Sequence, residues 1–173
     1  MFTLVIGGSA SGKSRYAEAL VQAQPGPRIY LATMQPFDAE CEARIARHRE
    51  QRADKGFETI ECYVNLNEAE IPRGGSLLLE DLSNLLANEL YGPKGGGAEA
   101  ILPGIEHLLE RCANLTVVTN EVFSGGSDYE GDTLHFLREL AALNRELAAR
   151  ADRVVELVCG LEHVLKGERH ENL

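Results

Sequence analysis

Positive charge is in short supply in this sequence. Seventeen Lys and Arg stand against 27 Asp and Glu, a formal net charge of −10 at pH 7. A protein built to hold nucleic acid carries a basic face, so that class is set aside. A local basic cluster can still grip one anionic ligand. Long apolar runs are missing too: none approaches the roughly 20 residues a membrane span requires. No charged segment precedes an apolar core at the N-terminus, as a secretory signal would demand, and a cytoplasmic location is expected. Cysteine is sparse. Cys41, Cys62, Cys112 and Cys159 form no C-x-x-C pair, and they are expected to be small buried hydrophobes rather than metal or redox groups. Cys159 and His163 lie four apart, but two candidate ligands without a second pair are a weak zinc signal.

The composition that remains is that of a globular protein. At 173 residues, 44% hydrophobic and 25% charged, the chain is long enough to bury a real core. There is no internal repeat and no linker, so residues 1–173 read as a single domain. Strands are expected at Phe2–Ile6, Arg28–Ala32, Thr59–Val64, Ser76–Glu80, Thr116–Thr119 and Val154–Cys159. Leu77–Leu79 and Val117–Val118 do not alternate with polar residues, as befits strands covered on both sides. Helices are expected near Lys13–Gln22, Asp38–Arg52, Ser83–Leu90, Ile105–Cys112 and Thr133–Arg150. In the last, Leu134, Leu137, Leu140, Ala141, Asn144, Leu147 and Ala148 recur at three- and four-residue spacing. Strand–helix alternation of this kind gives an α/β fold, a mostly parallel sheet with helices on both faces. Two stretches break the pattern. "YGPKGGG" (91–97) reads as a flexible excursion, and "FSGGSDYEGD" (123–132) follows a strand at the end where open α/β sheets bind ligands.

Gly7, Gly8, Ser9, Ala10, Ser11, Gly12, Lys13 and Ser14 satisfy G-x-x-x-x-G-K-[ST] without a gap. The glycines let the backbone curl so that successive N–H groups point at phosphate oxygens. Lys13 supplies a point charge near the β- and γ-phosphates, and Ser14 offers a hydroxyl to Mg²⁺. The following helix presents its positive end. Such a loop needs an acid after a buried strand to hold the metal shell. "SLLLED" (76–81) supplies Glu80, which ends the run directly, with Asp81 beside it. Both acids also suit the opening of the next helix.

In "CEARIARHREQR" (41–52), Arg44, His48 and Arg52 fall four residues apart and share one stripe of a helix. Arg47 and Arg49 flank the same histidine. A solvated basic face is one reading. With a phosphate loop present, another is chemical: surrounding cations keep the imidazole neutral, and a neutral histidine beside an α-phosphate is a competent nucleophile. That chemistry is nucleotidyl transfer through a covalent phosphoramidate. His107, His135, His163 and His170 have no comparable neighbourhood.

With "GGSASGKSRYAEAL", "YLATM", "EARIARHREQR", "LLLED", "VTNEV" and "LNRELAARAD…VVELVCGL" in this order, nearly the whole chain resembles the bifunctional adenosylcobinamide kinase/adenosylcobinamide-phosphate guanylyltransferase family. The resemblance implies a RecA-like P-loop NTPase fold and a homotrimer. It also implies a two-step task in late cobalamin biosynthesis: ATP or GTP phosphorylates adenosylcobinamide, then GMP passes from GTP through a histidine to the new phosphate. His48 matches the guanylylated histidine, and Lys13 matches the lysine of the nucleotide loop. Ala32, Thr33, Met34, Arg49, Glu50, Gln51, Arg52, Glu61 and Glu80 match positions that contact the nucleotide, and Ser14 and Glu80 the Mg²⁺ site. The family usually has Gly-x-Gly and an apolar-proline element where this chain has Phe123–Asp132, a proline where Ala53 stands, and often a glycine where Ala141 stands. Two readings stay beside this one. One is a P-loop small-molecule kinase using Arg44–Arg52 as a phosphate clamp; the other is a nucleotide-binding regulatory module. The base of the kinase step is left among Glu80, Asp81 and Glu121.

Overall fold

The computed structural model describes residues 1–123 and 129–168. Its strands are β1 (Phe2–Gly7), β2 (Arg28–Ala32), β3 (Phe57–Glu61), β4 (Ser76–Glu80), β5 (Asn114–Asn120), β6 (Arg153–Val158) and β7 (Leu161–Lys166). Its helices are α1 (Lys13–Gln22), α2 (Ala39–Arg52), α3 (Leu82–Tyr91), α4 (Ile101–Arg111) and α5 (Gly131–Arg150). The strands form one sheet in the order β3-β2-β4-β5-β1-β6-β7. Every pairing is parallel except that of β6 with β7.

The apolar runs decide which strands lie at the centre. Leu77, Leu78 and Leu79 are fully buried, and burial of each stabilises the fold by roughly 1.5–3 kcal/mol. Neighbouring residues of β4 point to opposite faces. Leu77 and Leu79 join a cluster with Leu82, Leu85 and Leu86 of α3, Ile105 of α4 and Leu140 and Leu147 of α5. Leu78 joins Val5, Val118 and Val155 under Ala17, Leu20 and Val21 of α1. This is the expected α/β architecture with both faces covered. The parallel register brings Gly7 level with Asn120 and Ala32 level with Glu80, so the C-terminal ends of four strands share one rim.

Several expectations need correction. β3 lies at Phe57–Glu61, not Thr59–Val64. It is an edge strand whose pattern is mostly exposed, so hydrophobicity gave no fix on its ends. α4 begins at Ile101 rather than Ile105. β7 has no counterpart among the expected strands. It is an exposed edge strand, joined to β6 by a tight turn at Cys159 and Gly160, whose φ values are 52° and 79°. The turn ends β6 at Val158. The cysteines are not fully buried: Cys62 and Cys112 are partly buried against the apolar core, Cys41 is partly buried and Cys159 is exposed. The stretch 91–97 is not a free excursion. Glu89, 2% exposed, accepts from Gly96 N at 2.7 Å through its carboxylate and from Gly97 N at 3.0 Å through its carbonyl. A Cβ at Gly95 would collide with the same carbonyl oxygen. Of the 123–132 loop, residues 124–128 lie outside the described residues, as does His170.

Candidate active site

The loop between β1 and α1 is shaped by close approaches. Gly7 leaves no room for a Cβ, which would stand 2.5 Å from Ser11 Oγ and 2.8 Å from the Leu157 carbonyl oxygen. Gly12 adopts φ 93° at the start of α1, a conformation that disfavours any side chain. The β6–β7 turn braces the loop from outside, with Gly160 N donating to the Ser11 carbonyl at 2.9 Å. Lys13 is buried and donates from Nζ to the Gly8 carbonyl at 3.0 Å. Burial lowers its pKa, and the charges of Asp81 and Glu80 oppose that shift.

The acids of "LLLED" take different posts. Glu80 Oε1 accepts a hydrogen bond from the Ser14 hydroxyl, while Glu80 Oε2 is buried with no hydrogen-bond partner among the described residues. Burial lifts the Glu80 carboxyl to about 7; the Ser14 bond opposes this and the Asp81 charge adds to it. Asp81 caps α3, accepting from Asn84 N at 2.8 Å, and Asn120 Nδ2 lies 3.4 Å from its other oxygen. Burial raises the Asp81 pKa as well.

Asp38 caps α2 by accepting from Cys41 N at 2.7 Å. Glu40 and Glu42 occupy the first turn and Arg49 and Arg52 the last, matching the helix dipole. His48 is half-buried, and its Nδ1 is shielded from solvent without a hydrogen-bond partner among the described residues. Its pKa is lowered, first by burial and then by Arg52, with smaller contributions from Arg44 and Arg47 and an opposing one from Glu18. The imidazole is therefore neutral at pH 7. Arg49 pairs with Glu61, which also accepts from the Tyr63 hydroxyl at 2.8 Å. Arg52 is 6% exposed and lies over the Tyr30 ring, 3.4 Å from its centroid.

These elements enclose a cavity of about 790 Å³. Of the residues singled out in the sequence, Ser9, Ala10, Lys13, Ser14, Ala32, Met34, Arg44, Arg47, His48, Arg49, Arg52, Glu61 and Glu80 line it. Gly7, Gly8, Ser11 and Gly12 shape the loop behind the wall. Thr33 is fully buried and donates its hydroxyl to the Asp81 carbonyl at 2.8 Å, strapping β2 to β4. Glu50 is exposed and off the wall. The side chain of Gln51 lies outside the described ones. Glu121 accepts from Phe123 N at 2.9 Å and is not on the wall, whereas Asp81 is. Tyr30, Ile45, Thr59, Asn84, Asn120 and Val122 complete the lining, beyond the residues to which the sequence pointed. Tyr30 and Thr59 lie within β2 and β3, Ile45 and Asn84 on α2 and α3, and Asn120 and Val122 at and just past the end of β5; the shared rim was the signal that would have found the last two.

The family model for cobinamide kinase/cobinamide phosphate guanyltransferase matches residues 3–165. The bifunctional adenosylcobalamin biosynthesis protein CobU of Salmonella typhimurium is 34% identical, over 93% of this chain and 97% of its own. The bifunctional adenosylcobalamin biosynthesis protein CobP of Pseudomonas aeruginosa is 35% identical, over 97% and 99%. The chain belongs to this family. It is a cobinamide kinase and cobinamide-phosphate guanylyltransferase of cobalamin biosynthesis. Among solved structures, the flagellar accessory protein FlaH of Methanocaldococcus jannaschii superposes with a TM-score of 0.51 at 10% identity, over 96% of this chain and 78% of that one. This is a likeness of fold, the α/β P-loop architecture. Among the described residues no helix is long and apolar enough to cross a membrane.

Proposed function

We propose that both family activities are carried out in the one cavity, with His48 as the residue that accepts GMP. The observation that carries this reading is that His48 and Lys13, 35 positions apart in the sequence, line the same cavity. In the kinase step the phosphate loop, Gly7–Ser14, seats ATP or GTP, and the aminopropanol hydroxyl of adenosylcobinamide attacks the γ-phosphorus. The hydroxyl proton passes to a carboxylate of the wall, and the nucleoside diphosphate leaves with the electron pair of the broken P–O bond. In the second step the lone pair of neutral His48 attacks the α-phosphorus of GTP. A P–N bond forms, the α–β P–O bond breaks, and pyrophosphate departs. A phosphate oxygen of adenosylcobinamide phosphate then attacks the same phosphorus, the P–N bond breaks, and adenosyl-GDP-cobinamide is released.

Around this chemistry Lys13, Arg49 and Arg52 neutralise phosphate charge, and Ala32 and Met34 form wall beside the nucleotide. Ser14 and Glu80 fit a magnesium ion: a hydroxyl and a carboxylate converge, and one buried carboxylate oxygen has no partner among the described residues. Oxygen donors of this kind suit a hard divalent cation. Held by the Ser14 hydroxyl and the Glu80 carboxylate, such an ion would supply positive charge to offset that of the phosphates. A cytoplasmic homotrimer belongs to the same proposal, with sedimentation equilibrium as its check.

Intact-protein and peptide mass spectrometry after incubation with GTP and Mg²⁺ tests the reading. An added GMP on the peptide containing His48, absent from His48→Ala, is the expected result. A fully active enzyme with no such adduct overturns it.

A further inference from the structure

Apolar packing does not hold α2 in place. Among its residues with described side chains only Arg52 is buried, and neither apolar cluster includes a residue of this helix. Its single large aliphatic side chain, Ile45, lies on the cavity wall. An ordinary surface helix docks through an apolar stripe; α2 has none. Its C-terminal end is fixed by polar contacts instead. Arg49 pairs with Glu61 on β3, but both side chains are about half exposed, and such pairs contribute little. Arg52 rests on Tyr30 of β2. The third contact is Lys55 with Glu18.

That third contact differs in kind. Lys55 N donates to the Arg52 carbonyl at 2.9 Å, so the lysine continues directly from the end of α2. Glu18 lies on α1, and its side chain is only 5% exposed. Its charge is felt at His48 and at Glu80. We infer that the Lys55–Glu18 pair positions His48 for guanylyl transfer, by pinning the helix that carries the imidazole to the helix that begins at the phosphate loop. Lys55 also cancels a buried negative charge beside the seat of a triphosphate. The inference rests on the reading of His48 as the GMP acceptor. Lys55 and Glu18 are positioning residues and touch no reacting atom.

The test uses the whole enzyme at saturating GTP, so that altered nucleotide affinity drops out. The rate of GMP adduct formation is measured in a single turnover, and the kcat for phosphorylation of adenosylcobinamide serves as internal reference. Lys55→Met is expected to slow adduct formation about tenfold or more, as small misplacements of a reacting group do, while the kinase kcat stays within about twofold. Lys55→Arg is expected to restore the rate. If circular dichroism shows Lys55→Met unfolded, Glu18→Gln, which keeps shape and loses charge, carries the same expectation. Equal slowing of both activities, or no slowing of either, overturns the inference. Failure of the wild-type enzyme to form any adduct instead refutes the reading of His48 on which it rests.

Discussion

The Ser14 hydroxyl of the phosphate loop donates a hydrogen bond to Glu80 Oε1 at the end of β4. This bond joins the two halves of the proposed magnesium site, and it sits on a carboxyl that burial has lifted to about 7 from an ordinary 4.5. A proton and a divalent cation compete for that carboxylate. Magnesium-dependent binding of a GTP analogue is therefore expected to strengthen from pH 6 to pH 8, as the carboxylate becomes ionised. Isothermal titration in each buffer measures it, and in Glu80→Gln the dependence is expected to vanish along with most activity.

The same carboxyl makes a second, opposite statement about stability. Because its folded pKa is above its unfolded one, the folded state holds more protons between about 4.5 and about 7. Stability of the ligand-free protein therefore falls as pH rises through that window and stays lower above it. Each tenfold difference in proton affinity between the folded and unfolded states is worth about 1.4 kcal/mol, so the cost at pH 8 is a few kcal/mol. Glu80→Gln is expected to melt several degrees higher than wild type at pH 8 and level with it near pH 4.5. A Tm difference independent of pH refutes the assignment.

His48 follows the reverse logic. Burial and the cations Arg52, Arg44 and Arg47 depress its pKa, so the nucleophilic form predominates at neutral pH. The rate of adduct formation at saturating GTP is expected to fall less between pH 8 and pH 6.5 than the twofold of an imidazole with the ordinary pKa of 6.5. In Arg44→Gln/Arg47→Gln the imidazole pKa rises, while burial and Arg52 still hold it down, so the rate drops by up to about twofold at pH 6.5 and recovers by pH 8. Stopped-flow quench with mass detection reads both profiles.

Arg52 presents a buried guanidinium whose Nε and Nη1 have no hydrogen-bond partner among the described residues. Leaving such groups unsatisfied costs roughly 1–3 kcal/mol, offset in part by about 1–2 kcal/mol from the Tyr30 ring. An anion entering the cavity removes that cost. Arg52→Met is therefore expected to change the ligand-free Tm little and to lose most of the Tm increase that pyrophosphate produces in wild type. Differential scanning fluorimetry with and without pyrophosphate decides the matter.

Much of this architecture was legible because burial leaves strong marks on sequence. "SLLLE" and "TLVIG" have no polar alternation because helices cover both sides of β4 and β1. The phosphate loop announced itself because it needs glycine at fixed places. β7 left no such mark: in Leu161–Lys166 the polar pair Glu162 and His163 and the apolar pair Val164 and Leu165 break any period of two on an exposed edge, and nothing in that pattern demands a strand. The site was half legible for a similar reason. Lys13, His48 and Glu80 carry recognisable chemistry, whereas Asn84 reaches the cavity from the first turn of α3 and Asn120 because parallel register sets the end of β5 level with Gly7. Lys55, in a turn after an exposed helix, offered no sign of its buried partner.

Two neighbouring glycines of the phosphate loop differ in the room around them. At Gly7 an added Cβ would stand within 2.8 Å of the Leu157 backbone oxygen and closer still to Ser11 Oγ. The carbonyl belongs to β6, which is paired on both sides and cannot retreat, so the loop must move. At Gly8 an added Cβ meets nothing within 4 Å, and the residue has no positive φ. Gly7→Ala is expected to destabilise the fold by about 1–3 kcal/mol, the usual cost of overpacking, and to abolish binding of a fluorescent GDP analogue. Gly8→Ala is expected to leave the ligand-free Tm within a degree or two of wild type. Urea denaturation of both variants measures the contrast. Equal destabilisation would mean that the loop's shape is set by backbone freedom alone, and not by the close approach of β6 to Gly7.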